Sequence, residues 1–236
     1  MDNKALVIQN MSVRFGEQVV FGDFSLTIAP NTITCILGPS GSGKTTLLKA
    51  LAGLLPEATN VTEVPCSYIF QEPRLIPSMT ALDNVAVVLP GKLKDNREYA
   101  AKFLEDMELT DAVGKYPHEL SGGMAQRVAI ARGLIYDAPV LLMDEPFKGL
   151  DLPLQERLVK YFIKYWQKNK KTCLFVTHSI LDALLVADRV IVLKQGEQGA
   201  EIAYDRTIDL PREGRALGEA NVDAIRSEIH DLLVSL

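Results

Sequence analysis

The residues with the clearest chemistry form one unbroken run, Gly38-Pro39-Ser40-Gly41-Ser42-Gly43-Lys44-Thr45. The run fits the spacing G-x-x-x-x-G-K-[ST] at every position. Its glycines let the backbone curl until successive N–H groups face one anion. A helix opening at the end of the run adds the positive end of its dipole. In such a loop Lys44 neutralises the β- and γ-phosphates of a nucleoside triphosphate, and the Thr45 hydroxyl suits Mg²⁺. A second run, Val140-Leu141-Leu142-Met143-Asp144-Glu145-Pro146, closes an apolar stretch with two carboxylates. Asp144 suits the metal shell, and Glu145 suits polarising a water for in-line attack. The phosphate loop taken alone fits kinases, GTPases and ATPases. The chain carries no N-K-x-D guanine motif, which disfavours a GTPase.

These groups can act together only if strand ends bring them to one edge. Ile33–Leu37 is a short β-rich apolar run, as expected of a strand buried on both faces. The phosphate loop follows it directly, and a helix is expected from Lys44 to Leu54. Val64–Phe70, Val140–Met143, Thr172–Thr177 and Arg189–Leu193 read as further strands. Between the later ones, Leu154, Leu158, Val159, Phe162, Ile163 and Trp166 make one helical face, and Ile180–Val186 makes another helix. This alternation predicts an α/β fold with a parallel sheet, whose ligands gather at the carboxyl ends of the strands. Leu6–Ile8, Ser12–Phe15 and Phe24–Ile28 read as short strands ahead of it. Thr80 and Asp83 form a capping-box-like helix start, and Glu98–Leu109 has helical periodicity. With no strand between them, these two segments read as an inserted helical lobe. The tail from Glu219 to Leu236 reads as a helix with an apolar stripe at Val222, Ile225, Ile229, Leu232 and Leu233.

With 236 residues and 47% hydrophobic content, the chain can bury one large core or a core with a smaller lobe. A net charge of -5 lacks the basic footprint of a nucleic-acid binder. Cys35, Cys66 and Cys173 lie in apolar runs without metal-ligand spacing and are expected to be buried strand thiols. The polar start Met1–Lys4 lacks a signal-peptide pattern, and no apolar stretch reaches the roughly 18 residues of a membrane span. A chain soluble by itself, able to dock on a membrane protein, is expected. His118 and His230 are expected to be ordinary surface residues.

Leu120-Ser121-Gly122-Gly123-Met124-Ala125-Gln126-Arg127 is close to the signature L-S-G-G-Q of ATP-binding-cassette transporters. On that motif, its order between loop and acidic strand, and the loop itself, the chain resembles the nucleotide-binding domain of that family along nearly its whole length. The resemblance implies a P-loop NTPase core with a parallel sheet, a small antiparallel β lobe and an inserted α-helical subdomain. It implies ATP and Mg²⁺ as ligands. Gln71 resembles the glutamine that touches Mg²⁺ and attacking water, Gly149-Leu150-Asp151 the D-loop, and His178 the switch histidine at the γ-phosphate. Phe15 takes the place of the aromatic stacked on adenine. The implied set is catalytic Glu145, His178 and Gln71; metal-binding Thr45, Gln71 and Asp144; and nucleotide-binding Phe15, Gly38, Pro39, Ser40, Gly41, Ser42, Gly43, Lys44, Thr45, Thr46, Ser121, Gly122, Gly123 and Asp151. Ser121 can cap a helix whose open N–H groups make an anion site. In the family this site closes over the γ-phosphate held by a second subunit.

Two departures stand out. Met124 replaces the signature glutamine, and the stretch Leu55–Tyr68 is shorter than the family's hairpin region, so a reduced β lobe is expected. Phe70-Gln71-Glu72-Pro73-Arg74-Leu75, the run Tyr116–Met124, Asp144-Glu145-Pro146-Phe147 and Asp209-Leu210-Pro211-Arg212 resemble the ATPases of nitrate, sulfonate, taurine and pyrimidine-precursor importers. The implied partners are a second copy of the chain, a transmembrane permease contacting residues Glu72–Val85, and indirectly an extracytoplasmic substrate-binding protein, with no nucleic acid. The implied place is cytoplasmic, peripheral on the inner face of the cell membrane. An exporter motor and a non-transport cassette ATPase are the alternatives. The expected organisation is a single domain: residues 1–72 and 137–205 form core and β lobe, 73–136 the helical subdomain, and 206–236 a C-terminal extension.

Overall fold

The computed structural model describes residues 5–61, 64–212, 215–216 and 218–236. In chain order the first elements are β1 (Leu6–Phe15), β2 (Gln18–Ile28), β3 (Ile33–Leu37), α1 (Lys44–Leu51), β4 (Ala58–Thr59) and β5 (Cys66–Ile69). Then come α2 (Ala81–Ala86), α3 (Leu93–Asp106), α4 (Gly122–Ile135), β6 (Val140–Asp144) and α5 (Leu152–Asn169). β7 (Thr172–Val176), α6 (Ile180–Val186), β8 (Arg189–Gly196), β9 (Gly199–Thr207) and α7 (Ala220–Ser235) complete the described chain.

The main sheet has six strands in the order β5-β6-β7-β3-β8-β9. All its pairings are parallel except β8 with β9. β3, β6 and β7 are buried at every position, which explains their short apolar sequences. Ile36 faces Val176 across β3 and β7, and Asp144 faces Val176 across β6 and β7. The carboxyl ends of three strands distant in sequence therefore reach one edge. No apolar run in the sequence marks a strand over Gly199–Thr207. β9 is an edge strand carrying Glu201, Asp205 and Arg206, so it lacks the apolar run that marks a buried strand. It continues to Thr207, past the expected start of the C-terminal extension.

A smaller antiparallel sheet, β2-β1-β4, sits before and over the phosphate loop. The two strands expected in 6–15 are one strand, irregular near Asn10, whose φ is 51°. β2 begins at Gln18, earlier than the expected Phe24. β4 is two residues long and pairs Ser12 with Thr59 and Val13 with Ala58.

The helices α2, α3 and α4 follow β5. Thr80 caps α2 by accepting from the Asp83 N–H at 3.2 Å. The Asp83 carboxylate accepts from Arg97 of α3 at 2.7 and 2.9 Å. Asn84, fully buried, accepts from Ile76 N–H at 2.7 Å and donates to the carbonyls of Ile76, Met79 and Thr80 at 3.2, 3.1 and 3.1 Å. One buried cluster joins these helices to one face of the main sheet, with Val85, Leu104 and Val128 beside Leu141, Phe162 and Phe175. A second cluster, around Phe21, Ile36, Leu47 and Leu174, joins the other face to the small sheet. Val222, Ile225 and Ile229 bury the stripe of α7, with Leu232 and Leu233 partly buried. Cys35 and Cys173 are buried, Cys66 is half-buried, and all three are free thiols. His118 and His230 are exposed. Among the described residues no helix is long and apolar enough to cross a membrane.

Candidate active site

The loop between β3 and α1 is held by its own backbone demands. A side chain at Gly38 (φ 146°) would run into the Leu193 carbonyl, and one at Gly43 (φ 91°) would meet the Phe21 ring at 2.9 Å. Lys44 folds back over the loop, donating to the carbonyls of Gly38 and Pro39 at 2.8 Å each and to Ser42 Oγ at 3.3 Å. Burial pulls its ammonium below the ordinary value, against the pull of Glu145 and Asp144. This arrangement keeps a positive charge at the loop without a carboxylate bound directly to it.

Thr45 Oγ1 donates to Asp144 Oδ1 at 3.1 Å, joining residues 99 positions apart. Asp144 is 3% exposed, and burial pushes its carboxyl above the ordinary range despite the Thr45 hydrogen bond. A buried carboxylate short of countercharge, next to a hydroxyl, is an all-oxygen donor set that fits a hard cation such as Mg²⁺. Tyr68 donates to the other oxygen, Oδ2, at 3.4 Å, and its ring stacks on Phe70 at 4.0 Å. The Arg74 guanidinium covers that second ring at 4.1 Å.

Glu145 lies just past β6 with φ 45°, a strained backbone conformation for a side chain of this size. Its N–H donates to the Val176 carbonyl at 2.9 Å, which stitches it to β7. Its Oε2 lies 2.8 Å from Lys148 Nζ and 3.4 Å from His178 Nδ1. Burial works against its ionisation, but hydrogen bonding and charge from Lys148, with His178 beside it, bring the carboxyl below its ordinary value.

A cavity of about 500 Å³ is lined by Phe15, Gln18, Val20, Ser40, Gly41, Gly43, Lys44, Thr45, Thr46, Gln71, Glu145 and Lys148. It brings together half of the expected site residues. Phe15 is 42% exposed at its mouth, so this aromatic does not belong to the core. His178 is exposed and lines a smaller cavity behind Glu145, of about 110 Å³, with Gln155 and Asp182. Ser179, not His178, caps α6, accepting from Asp182 N–H at 3.1 Å. Gln155 donates to Asp182 Oδ2 at 2.6 Å, so α5 holds the start of α6. Asp151 caps α5, accepting from Leu154 N–H at 3.0 Å.

Ser121, Gly122 and Gly123 do not line the 500 Å³ cavity. They open α4, where Ser121 Oγ accepts from Met124 N–H at 3.3 Å. Met124, in place of the signature glutamine, is partly buried against the larger core. Residues outside the expected set also shape the site. Gln126, 3% exposed, donates to the carbonyls of Pro146 at 2.9 Å and Phe70 at 3.4 Å. Arg132 donates to the carbonyls of Pro73 and Arg74 at 2.8 and 3.0 Å. Their sequence signal is weak: a glutamine and an arginine on an otherwise apolar helical face.

Residues 21–148 match the family described as "ABC transporter". The "Aliphatic sulfonates import ATP-binding protein SsuB 2" of Pseudomonas syringae pv. syringae is 42% identical over 228 residues, 96% of this chain and 81% of that protein. The "Fe(3+) ions import ATP-binding protein FbpC" of Agrobacterium fabrum is 39% identical, over 92% of this chain and 67% of that protein. Among solved structures, the ATP-binding cassette MJ0796, described as dimeric in a post-hydrolysis state bound to ADP and Pi, superposes with a TM-score of 0.76. It is 29% identical, and the match covers 88% of this chain and all of that one. With the phosphate loop, the acidic strand end and the Ser121-capped helix in place, the chain belongs to the ABC transporter family, as one of its ATP-binding and ATP-hydrolysing cassettes.

Proposed function

We propose that the chain is the ATPase subunit of an importer, acting as two copies against a membrane permease at the inner face of the membrane. The observation that carries this reading is the division of the site. Lys44, Thr45 and Glu145 share one cleft, whereas the Ser121 helix start lies outside its lining. The open N–H groups of α4 then serve the γ-phosphate of a second copy. ATP held between two copies glues them, and hydrolysis removes the bridging charge.

In this reading the phosphate loop from Gly38 to Thr45, with Thr46, binds the phosphates and Phe15 stacks on the base. Thr45, Asp144 and Gln71 hold Mg²⁺, which when bound offsets the phosphate charge. Glu145 takes the proton of the attacking water, and His178 contacts the γ-phosphate. Asp151 approaches the partner's nucleotide. The units are the core with β lobe (1–72 and 137–205), the helical subdomain (73–136) and the extension (206–236). Residues 72–85 form the docking groove for the permease, its backbone held by Asn84 and Arg132.

The names of the relatives support import, and several of them support an aliphatic sulfonate as cargo; in this reading an extracytoplasmic binding protein delivers it. Purification of the tagged chain from its native membranes tests this. A multi-span permease should co-purify, and the reconstituted complex should hydrolyse ATP faster with binding protein loaded with an aliphatic sulfonate. Association with ribosomes or DNA alone would overturn the transport reading.

A further inference from the structure

Lys148 has no place in the roles above, yet it occupies their centre. Its Nζ is 2.8 Å from Oε2 of Glu145, the same oxygen that faces His178 at 3.4 Å. It lines the cleft together with Lys44, Thr45 and Gln71. The reverse turn after β6 places it there, since Lys148 N–H donates to the Glu145 carbonyl at 3.1 Å. The two partners differ in freedom: the Lys148 side chain is 48% exposed and that of Glu145 only 16%. The carboxylate is set in the floor of the cleft, while the lysine is a long arm at its side.

We propose that Lys148 is a second cation for the terminal phosphate of ATP, held on Glu145 while the cleft lacks that phosphate. The proposal rests on the nucleotide-cleft reading above. Its physical basis is competition between two anions for one ammonium. With the Lys148 ammonium 2.8 Å away as an ion pair, Oε2 of Glu145 is buried and closed to a water. A γ-phosphate brings more charge and more acceptor oxygens than one carboxylate, so it outcompetes Glu145 for a flexible lysine. Transfer of the Lys148 ammonium to the phosphate frees Glu145 Oε2 at the moment a hydrolysable nucleotide is present. ADP lacks the group that draws Lys148 away, so the contact also discriminates ATP from ADP. Lys44 is the first cation of the cleft, but its ammonium donates to the loop carbonyls of Gly38 and Pro39 and not to Glu145, so it cannot gate that carboxylate.

The test is equilibrium binding of ADP and of a non-hydrolysable ATP analogue to the full chain, comparing wild type with Lys148→Met and Lys148→Arg. Lys148→Met should weaken the triphosphate by about five- to thirtyfold, leave ADP within about twofold, and be rescued by Lys148→Arg. Glu145→Gln should tighten the triphosphate more when Lys148 is present than in the Lys148→Met background. Equal losses for both nucleotides, no loss for either, or additive effects in the double variant would overturn the proposal. Lys44→Ala is the control for the cleft itself. If it binds the triphosphate as wild type does, the cleft reading fails too; if it does not, a negative result for Lys148 stands alone.

Discussion

Gln126 donates to the Pro146 carbonyl at 2.9 Å, tying the helix that Ser121 opens to the residue that follows Glu145. The same amide reaches the Phe70 carbonyl, one residue before Gln71. A single buried side chain therefore links the helical lobe to the loops of Gln71 and Glu145, two of the three that carry proposed catalytic groups. Replacing it with methionine keeps volume but leaves two carbonyls without their donor. Gln126→Met should lower stability by about 1–3 kcal/mol. It should also reduce kcat more than it changes KM for ATP, because the phosphate loop is untouched. Denaturant melts and steady-state kinetics on the same preparation check both.

Glu145→Gln should abolish turnover and retain ATP binding, since Lys44 and Thr45 remain in place. Gel filtration with ATP should show a trapped dimer. A variant that hydrolyses at the wild-type rate would remove Glu145 from its role.

Phe15→Ala should weaken ATP binding by about 1–3 kcal/mol, the range for base stacking on an aromatic side chain. Phe15 is exposed, so the fold should be unaffected. Titration calorimetry reads the change. Unaltered affinity would leave the base without this platform.

Ser121→Arg should block ATP-driven dimerisation by filling the anion site at the start of α4. It also removes the helix cap, which should cost about 1 kcal/mol of stability. ATP should still bind the monomer. Sedimentation of a Glu145→Gln, Ser121→Arg double variant with ATP checks this, and a persistent dimer would refute the shared site.

Hydrogen bonds from Arg97 hold the Asp83 carboxyl below its ordinary value, with Thr80 assisting and burial opposing. A depressed folded-state value means that the contribution to stability is present above the unfolded value, about 3.9. It is lost as pH falls through the lower folded value. The melting temperature of Asp83→Asn should therefore lie below wild type near neutrality, and the two should converge as the pH falls to about 3. Arg97 is half-exposed, so solvent screening should keep the difference small.

The amino-acid sequence alone determined the features that rest on local demands. The phosphate loop needs glycine at Gly38, Gly41 and Gly43, whose φ values are 146°, 83° and 91°. Buried strands need continuous apolar runs, and β6, β7 and α6 lie within a residue of where those runs predict them. Ser121 opens α4 as expected, with Thr80 doing the same for α2. The tertiary structure decided what depends on sheet order and on partners far apart in the chain. β9 was invisible because an edge strand with one solvated face has no need of a hydrophobic run. α3 starts at Leu93 rather than Glu98, its first turn lacking a capping side chain and tied instead by Asn96, which donates to the carbonyls of Leu89 and Pro90. The pairing of Thr45 with Asp144 follows from the order β6-β7-β3, which puts one strand between theirs. The contacts of Lys148 with Glu145 and of Gln126 with Pro146 depend on how turns and helices stack on that sheet. Motifs name the chemistry because its backbone requirements are local. Which side chain restrains which is set by distances that only the folded sheet creates.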